Sequence, residues 1–103
     1  MLEGYDCTVG IASNIGKPVE RDAELVRVFK ELGAVPLCRT NLPQTCCSFE
    51  CSNPIYGATT NFHANKRGPG GSSGGEAALI AGGGSILGIG MIQPHVCLID
   101  IFC

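Results

Sequence analysis

The chain has 103 residues, of which 45% are hydrophobic and 16% charged, and a formal net charge of −2. That length bounds it to one small domain or a piece of a larger one, and the composition is too apolar and too weakly charged for a disordered chain. The charge leaves no electrostatic footprint for nucleic acid, and no apolar run reaches the roughly 18 residues that a membrane helix needs.

The opening Met1-Leu-Glu-Gly-Tyr-Asp6 has neither the basic nor the apolar region of a secretory leader, so a cytoplasmic setting is the default expectation. Cys7–Ala12 predicts a short strand, followed by a turn over Ser13–Pro18. Asp22 predicts the N-cap of a helix running to about Leu32. Leu25, Val28, Phe29 and Leu32 recur on one face of it, with Glu24, Arg27, Lys30 and Glu31 on the other. Gly33 stands where a helix ends in a left-handed residue. Val35–Thr40 is almost wholly apolar and predicts a second, buried strand. A helix followed by a buried strand points to an α/β layer with a parallel sheet.

From Asn41 to Gly75 little regular pattern survives, apart from a helical turn expected near Thr45–Glu50. A loop of this length inside a compact domain usually builds a site. It ends in Gly68-Pro-Gly-Gly-Ser-Ser-Gly-Gly-Glu76, the most informative stretch of the chain. Glycines there let backbone approach a ligand closely, and Ser73 with Glu76 three residues on has the pattern of a capping box. The helix so opened runs through Ala81 to the Gly82-Gly-Gly84 triplet. Ser85–Ile89 predicts another buried strand, and Met91–Cys103 is an apolar tail without a clear period, interrupted by Pro94.

The seven cysteines (7, 38, 46, 47, 51, 97 and 103) are odd in number and read as reduced thiols packing as small hydrophobes. Cys46, Cys47 and Cys51 with His63 match no compact zinc spacing, so no metal is implied. Lys66-Arg67 reads as a solvated loop edge, His63 as a loop polar residue, and Glu76 as a capping residue in preference to a general acid. His95, Cys97 and Asp100 lie in the tail and form no recognisable nucleophile motif. The glycine loop lacks the Gly-Lys-Ser/Thr ending of a phosphate-binding P-loop. Anion binding at Ser72–Gly75 stays open as a minor alternative.

Taken together, Thr40-Asn-Leu-Pro-Gln44, Cys51-Ser-Asn-Pro-Ile-Tyr-Gly57 and Pro69-Gly-Gly-Ser-Ser-Gly-Gly-Glu76 resemble the amidase signature family. The Cys51-Ser-Asn-Pro stretch points to its fatty-acid amide hydrolase branch. The resemblance implies an α/β fold, a mixed sheet covered by helices, of which residues 1–90 are a part and 91–103 a divergent tail. It implies a serine hydrolase of lipid metabolism, acting on carbon–nitrogen bonds other than peptide bonds, with fatty-acid amides as substrates and no cofactor. In such an enzyme a neutral lysine draws a proton through a bridging serine from a second, nucleophilic serine, and the bridging serine then protonates the leaving amine.

Residue by residue, Ser72 matches the bridging serine, following a cis peptide bond from Gly71. Cys46 matches a position lining the substrate site, which Ser72 shares. The lysine would precede Cys7, and the nucleophile would follow the Ser85–Gly90 stretch, where this chain reads Met91-Ile-Gln-Pro-His-Val96. Of the three catalytic residues only Ser72 finds a match, which predicts an inactive 103-residue polypeptide. A non-catalytic role is the alternative, as an unstable translation product or as an interaction partner that self-associates or pairs with a full-length relative. Membrane association of a longer parent stays open.

Overall fold

The computed structural model describes residues 1–91. Helix α1 spans Glu24–Glu31 and helix α2 Gly74–Ala81; strands β1 (Ser52–Asn53) and β2 (Gly57–Ala58) pair antiparallel, with Ser52 opposite Ala58 and Asn53 opposite Gly57. A short 3-10 turn covers Ala12–Asn14; Gln44–Cys46 makes a tight turn with positive φ at Thr45 and Cys46, so the helical turn expected near Thr45–Glu50 is replaced by a non-helical one.

None of the three strands expected from apolar runs forms among the described residues. In the first, Val9 (φ +49°) and Gly10 (φ +69°) turn the chain back after Thr8. This bend carries the Val9 carbonyl to the Thr45 N–H at 2.9 Å and presses Gly10 on Gln44, whose Cα would lie 2.8 Å from an added Cβ. Val35–Thr40 and Ser85–Ile89 have no ladder partner among the described residues. Val35 is 77% exposed and Leu37 72%, so the run that looked like a buried strand lies open. An apolar run states what a strand would bury, and only a neighbouring strand can make it one.

Helix α1 follows its periodicity, but its cap differs from expectation. The N-cap is Ala23, with no side-chain cap bond. Asp22 instead accepts a hydrogen bond from the Glu3 N–H (2.7 Å) and pairs with Lys30 Nζ (2.5 Å), tying the N-terminus to the helix. The Glu3 amide first, then Lys30, holds the Asp22 carboxyl below its ordinary value. Arg27 pairs with both Glu24 and Glu31 one turn away, an exposed network that adds little stability. The helix ends as Gly33 predicts. With φ at +90°, its N–H reaches the Lys30 carbonyl and that of Ala34 reaches Phe29, the paired bonds of a Schellman motif. Helix α2 closes the same way, Gly83 on Ile80 and Gly84 on Leu79.

The buried interior is a contact of loops with strand β1 and the first turn of α2. Thr8, Gly10, Pro43, Cys51, Asn53, Pro69, Gly71, Ser72, Gly74 and Gly75 are all buried. Large apolar side chains lie elsewhere: Leu25 and Val28 on α1, Leu32 at its C-cap, then Val35, Leu37, Ile86, Leu87 and Ile89, are all exposed. The expectation that the cysteines pack as hydrophobes holds for Cys51; Cys7 and Cys46 are half-buried, and Cys38 and Cys47 are exposed. The His95, Cys97 and Asp100 readings fall outside the described residues.

Candidate functional site

Ser72 lies in the loop that enters α2, and three glycines fix its position. A Cβ on Gly71 would lie 2.7 Å from the Ser48 carbonyl oxygen, and one on Gly74 would meet the Cys51 side chain at 2.5 Å. One on Gly75 would run into the Asn41 backbone, 2.9 Å from its Cα. The Gly75 N–H donates to the Asn41 carbonyl at 3.2 Å. Backbone therefore packs on backbone around Ser72, a closeness that side chains would forbid. The Gly71–Ser72 peptide bond is cis, as the resemblance implies.

Ser72 is 6% exposed, and its hydroxyl has no hydrogen-bond partner among the described residues. Buried hydroxyls are nearly always paired, and each unpaired one calls for an explanation. Ser73 behaves differently. It occupies the N-cap position of α2 as expected, yet its hydroxyl does not cap the helix. It accepts from the Met91 N–H at 2.8 Å and donates to the Met91 carbonyl at 3.4 Å. Glu76 does not reach back to Ser73 either; its carboxylate accepts from the Thr40 hydroxyl at 2.7 Å. The capping box is thus replaced by two tertiary ties, one to residue 91 and one to residue 40.

Cys46 follows Thr45, and both take positive φ (+58° and +60°), an unusual conformation for residues with a Cβ. Burial first, then the neighbouring Cys47 and Cys7, pushes the Cys46 thiol above its ordinary pKa. Ser48, two residues further on, is part of the stretch against which Gly71 packs, so the Cys46 segment and the Ser72 loop are neighbours. No three His, Cys, Asp or Glu side chains among the described residues group as a metal ion requires. His63 is exposed and stacks edge-on with Phe62 at 5.2 Å. An open cleft of about 750 Å³ runs between the N-terminal segment and residues 36–42, past Tyr5, Arg39 and Tyr56; neither Ser72 nor Cys46 lines it.

A family model described as Amidase matches residues 1–91. The chain belongs to the amidase family. Among the relatives of this amidase-family chain is fatty-acid amide hydrolase 1 of Sus scrofa, 53% identical over 88 residues, which are 85% of this chain and 15% of the relative. Fatty acid amide hydrolase 1 of Caenorhabditis elegans is 48% identical over 89 residues, 86% of this chain and 16% of the relative. Vitamin D3 hydroxylase-associated protein of Gallus gallus is 49% identical over 102 residues, 98% of this chain and 22% of the relative, a match that continues past residue 91. The amidase-family chain therefore spans less than a quarter of the length of each of these relatives. No helix among the described residues is long and apolar enough to cross a membrane.

Asn41, Asn53 and Thr59 connect to the Ser72 loop through hydrogen bonds that the sequence alone does not reveal. The first two stand in motifs that carry the resemblance, but no role follows from the motifs themselves. Asn53 before Pro54 does signal an Asx-turn, and its Oδ1 accepts the N–H groups of Ile55 and Tyr56, each at 2.9 Å.

Proposed function

We propose that this chain forms the Ser72 wall of an amidase site that hydrolyses fatty-acid amides, with Ser72 as the proton relay between a lysine and a nucleophilic serine. The observation that carries the reading is the Ser72 hydroxyl, buried with no partner among the described residues. A hydroxyl in that state lacks the groups it is placed to serve. A relay serine has two of them, an amine that takes its proton and a second hydroxyl that replaces it. The names of the relatives support amide hydrolysis and the fatty-acid acyl group. Cys46, on the neighbouring segment, is the residue proposed to line the substrate site beside Ser72.

The three lysines of the described residues do not fit the catalytic base. Lys17 and Lys66 are exposed, and Lys30 pairs with Asp22 on the surface. A lysine base must be desolvated to be neutral near pH 7. A polypeptide of residues 1–103 by itself is therefore proposed to be inactive. Ammonia release from oleamide by that polypeptide is expected to equal the buffer blank; turnover that Ser72→Ala abolishes would contradict the proposal.

The fold proposed for the whole domain is the mixed α/β sheet of the family, in a cytoplasmic setting. The proposed division into a domain portion, residues 1–90, and a tail, 91–103, rests on the break in motif at Met91.

The exposed apolar residues favour a second reading, in which residues 1–103 associate with another copy or with a longer relative. Leu32 is 78% exposed on the same face as Leu25 and Val28, and such faces mark association surfaces. Light scattering on a size-exclusion column is expected to give a mass above the monomer that rises with loading. A monomer at every concentration would remove this reading.

A further inference from the structure

The relay chemistry gives no role to Asn41 or Asn53, although both stand in motifs that mark the family. Asn53 is 6% exposed. Its amide nitrogen donates to Asn41 Oδ1 at 2.6 Å and to the Leu42 carbonyl at 2.7 Å, while its Oδ1 accepts from Ile55 and Tyr56. All four hydrogen-bonding positions of the amide are filled, which fixes its orientation. Asn41 carries the connection onward. Its Nδ2 donates to the Gly57 carbonyl (3.1 Å) and Thr59 Oγ1 (3.0 Å), and its own carbonyl accepts from the Gly75 N–H.

We propose that Asn53, acting through Asn41, is a positioning residue that holds the N-terminus of α2, and with it Ser72, at a fixed place against Thr40 and Asn41. The proposal rests on the reading of Ser72 as the relay. Its physical basis is the lack of slack along the path. Gly75 has no side chain, and its Cα lies so near Asn41 that a Cβ would collide with backbone. A displacement of Asn41 must therefore move the first turn of α2, three residues from Ser72. Thr40 reinforces the path from the adjacent position through its bond to Glu76.

The two halves of the Asn53 amide do different work, and substitution separates them. Asn53→Asp keeps the oxygen that serves Ile55 and Tyr56 but loses both donors to the 41–42 segment. Residue-by-residue amide exchange and nitrogen–proton NMR spectra of the 103-residue chain read out the consequence. In Asn53→Asp the Gly75 amide is expected to exchange about tenfold faster. The Ser72 amide resonance is expected to move, while Ile55 and Tyr56 stay protected and Leu32, at the end of α1, is unchanged. If Gly75 and Ser72 are unaffected, Asn53 is only a local turn residue and the proposal fails. Should Asn53→Asp unfold the chain, with Leu32 protection lost as well, Thr59→Val decides the matter. It leaves Asn53 intact and removes one acceptor from Asn41, along with the weak acceptor of the Cys51 thiol, so Gly75 exchange is expected to rise about threefold; unchanged exchange overturns the proposal. Neither readout requires turnover, so failure of the relay reading in the oleamide assay and failure of this coupling are separately visible.

Discussion

Gly75→Ala is expected to destabilise the 103-residue chain by about 3 kcal/mol, the upper end of the range for overpacking. The added methyl would be driven into the Asn41 nitrogen and oxygen, backbone atoms that cannot rotate away as a side-chain tip can. Relief requires α2 to move off Asn41, which breaks the Gly75–Asn41 hydrogen bond and opens the loop around Ser72. Gly68→Ala is the control. Gly68 has open space at its Cβ position and no positive φ, so alanine there is expected to be neutral or to stabilise by up to about 1 kcal/mol through the unfolded chain. Urea midpoints of the two variants check the contrast. Equal midpoints would mean that the close approach of Gly75 to Asn41 does not hold the loop.

The parts of the fold legible in the sequence are those that depend on near neighbours in the chain. Helix α1 is marked by the spacing of Leu25, Val28 and Leu32, and its end by Gly33, because periodicity and the left-handed cap are local properties. Ser73 likewise marks the start of α2 correctly. The chemistry assigned to that start is different in the fold, because Met91 and Thr40 take the side chains that a local capping box would use. The strands fail for a related reason. Val35–Thr40 has the composition of a buried strand, but composition does not supply the neighbour that pairs with it.

The site shows the same division. Sequence alone marks the glycine-rich loop as a place of close backbone approach, and Gly71, Gly74 and Gly75 are each packed too tightly for a Cβ. The role proposed for Ser72 and the expectation of a cis bond before it come from family resemblance, since neither residue type nor spacing specifies them. The Asn41–Asn53 pair lies beyond both routes. Its meaning depends on bonds between residues 11 and more positions apart, which appear only once the loops are folded together.

The second large effect concerns the hydroxyl at the centre of the account. Removing a polar group normally weakens a fold by breaking its hydrogen bonds, as Asn53→Ala is expected to do here. Ser72 is the reverse case. Its hydroxyl is buried without a partner among the described residues, a state that costs roughly 1–3 kcal/mol relative to a satisfied or absent group. Serine and alanine differ little in volume, so the substitution deletes that penalty and leaves a small cavity at most. Residues kept for chemistry at the expense of stability behave in this way.

The measurement that bears most directly on this account is therefore the urea midpoint of Ser72→Ala against the parent 103-residue chain. A higher midpoint with an unchanged slope is expected, corresponding to a gain of about 1–2 kcal/mol. A lower midpoint would show that the chain itself satisfies the Ser72 hydroxyl, and the relay reading would lose the observation on which it stands.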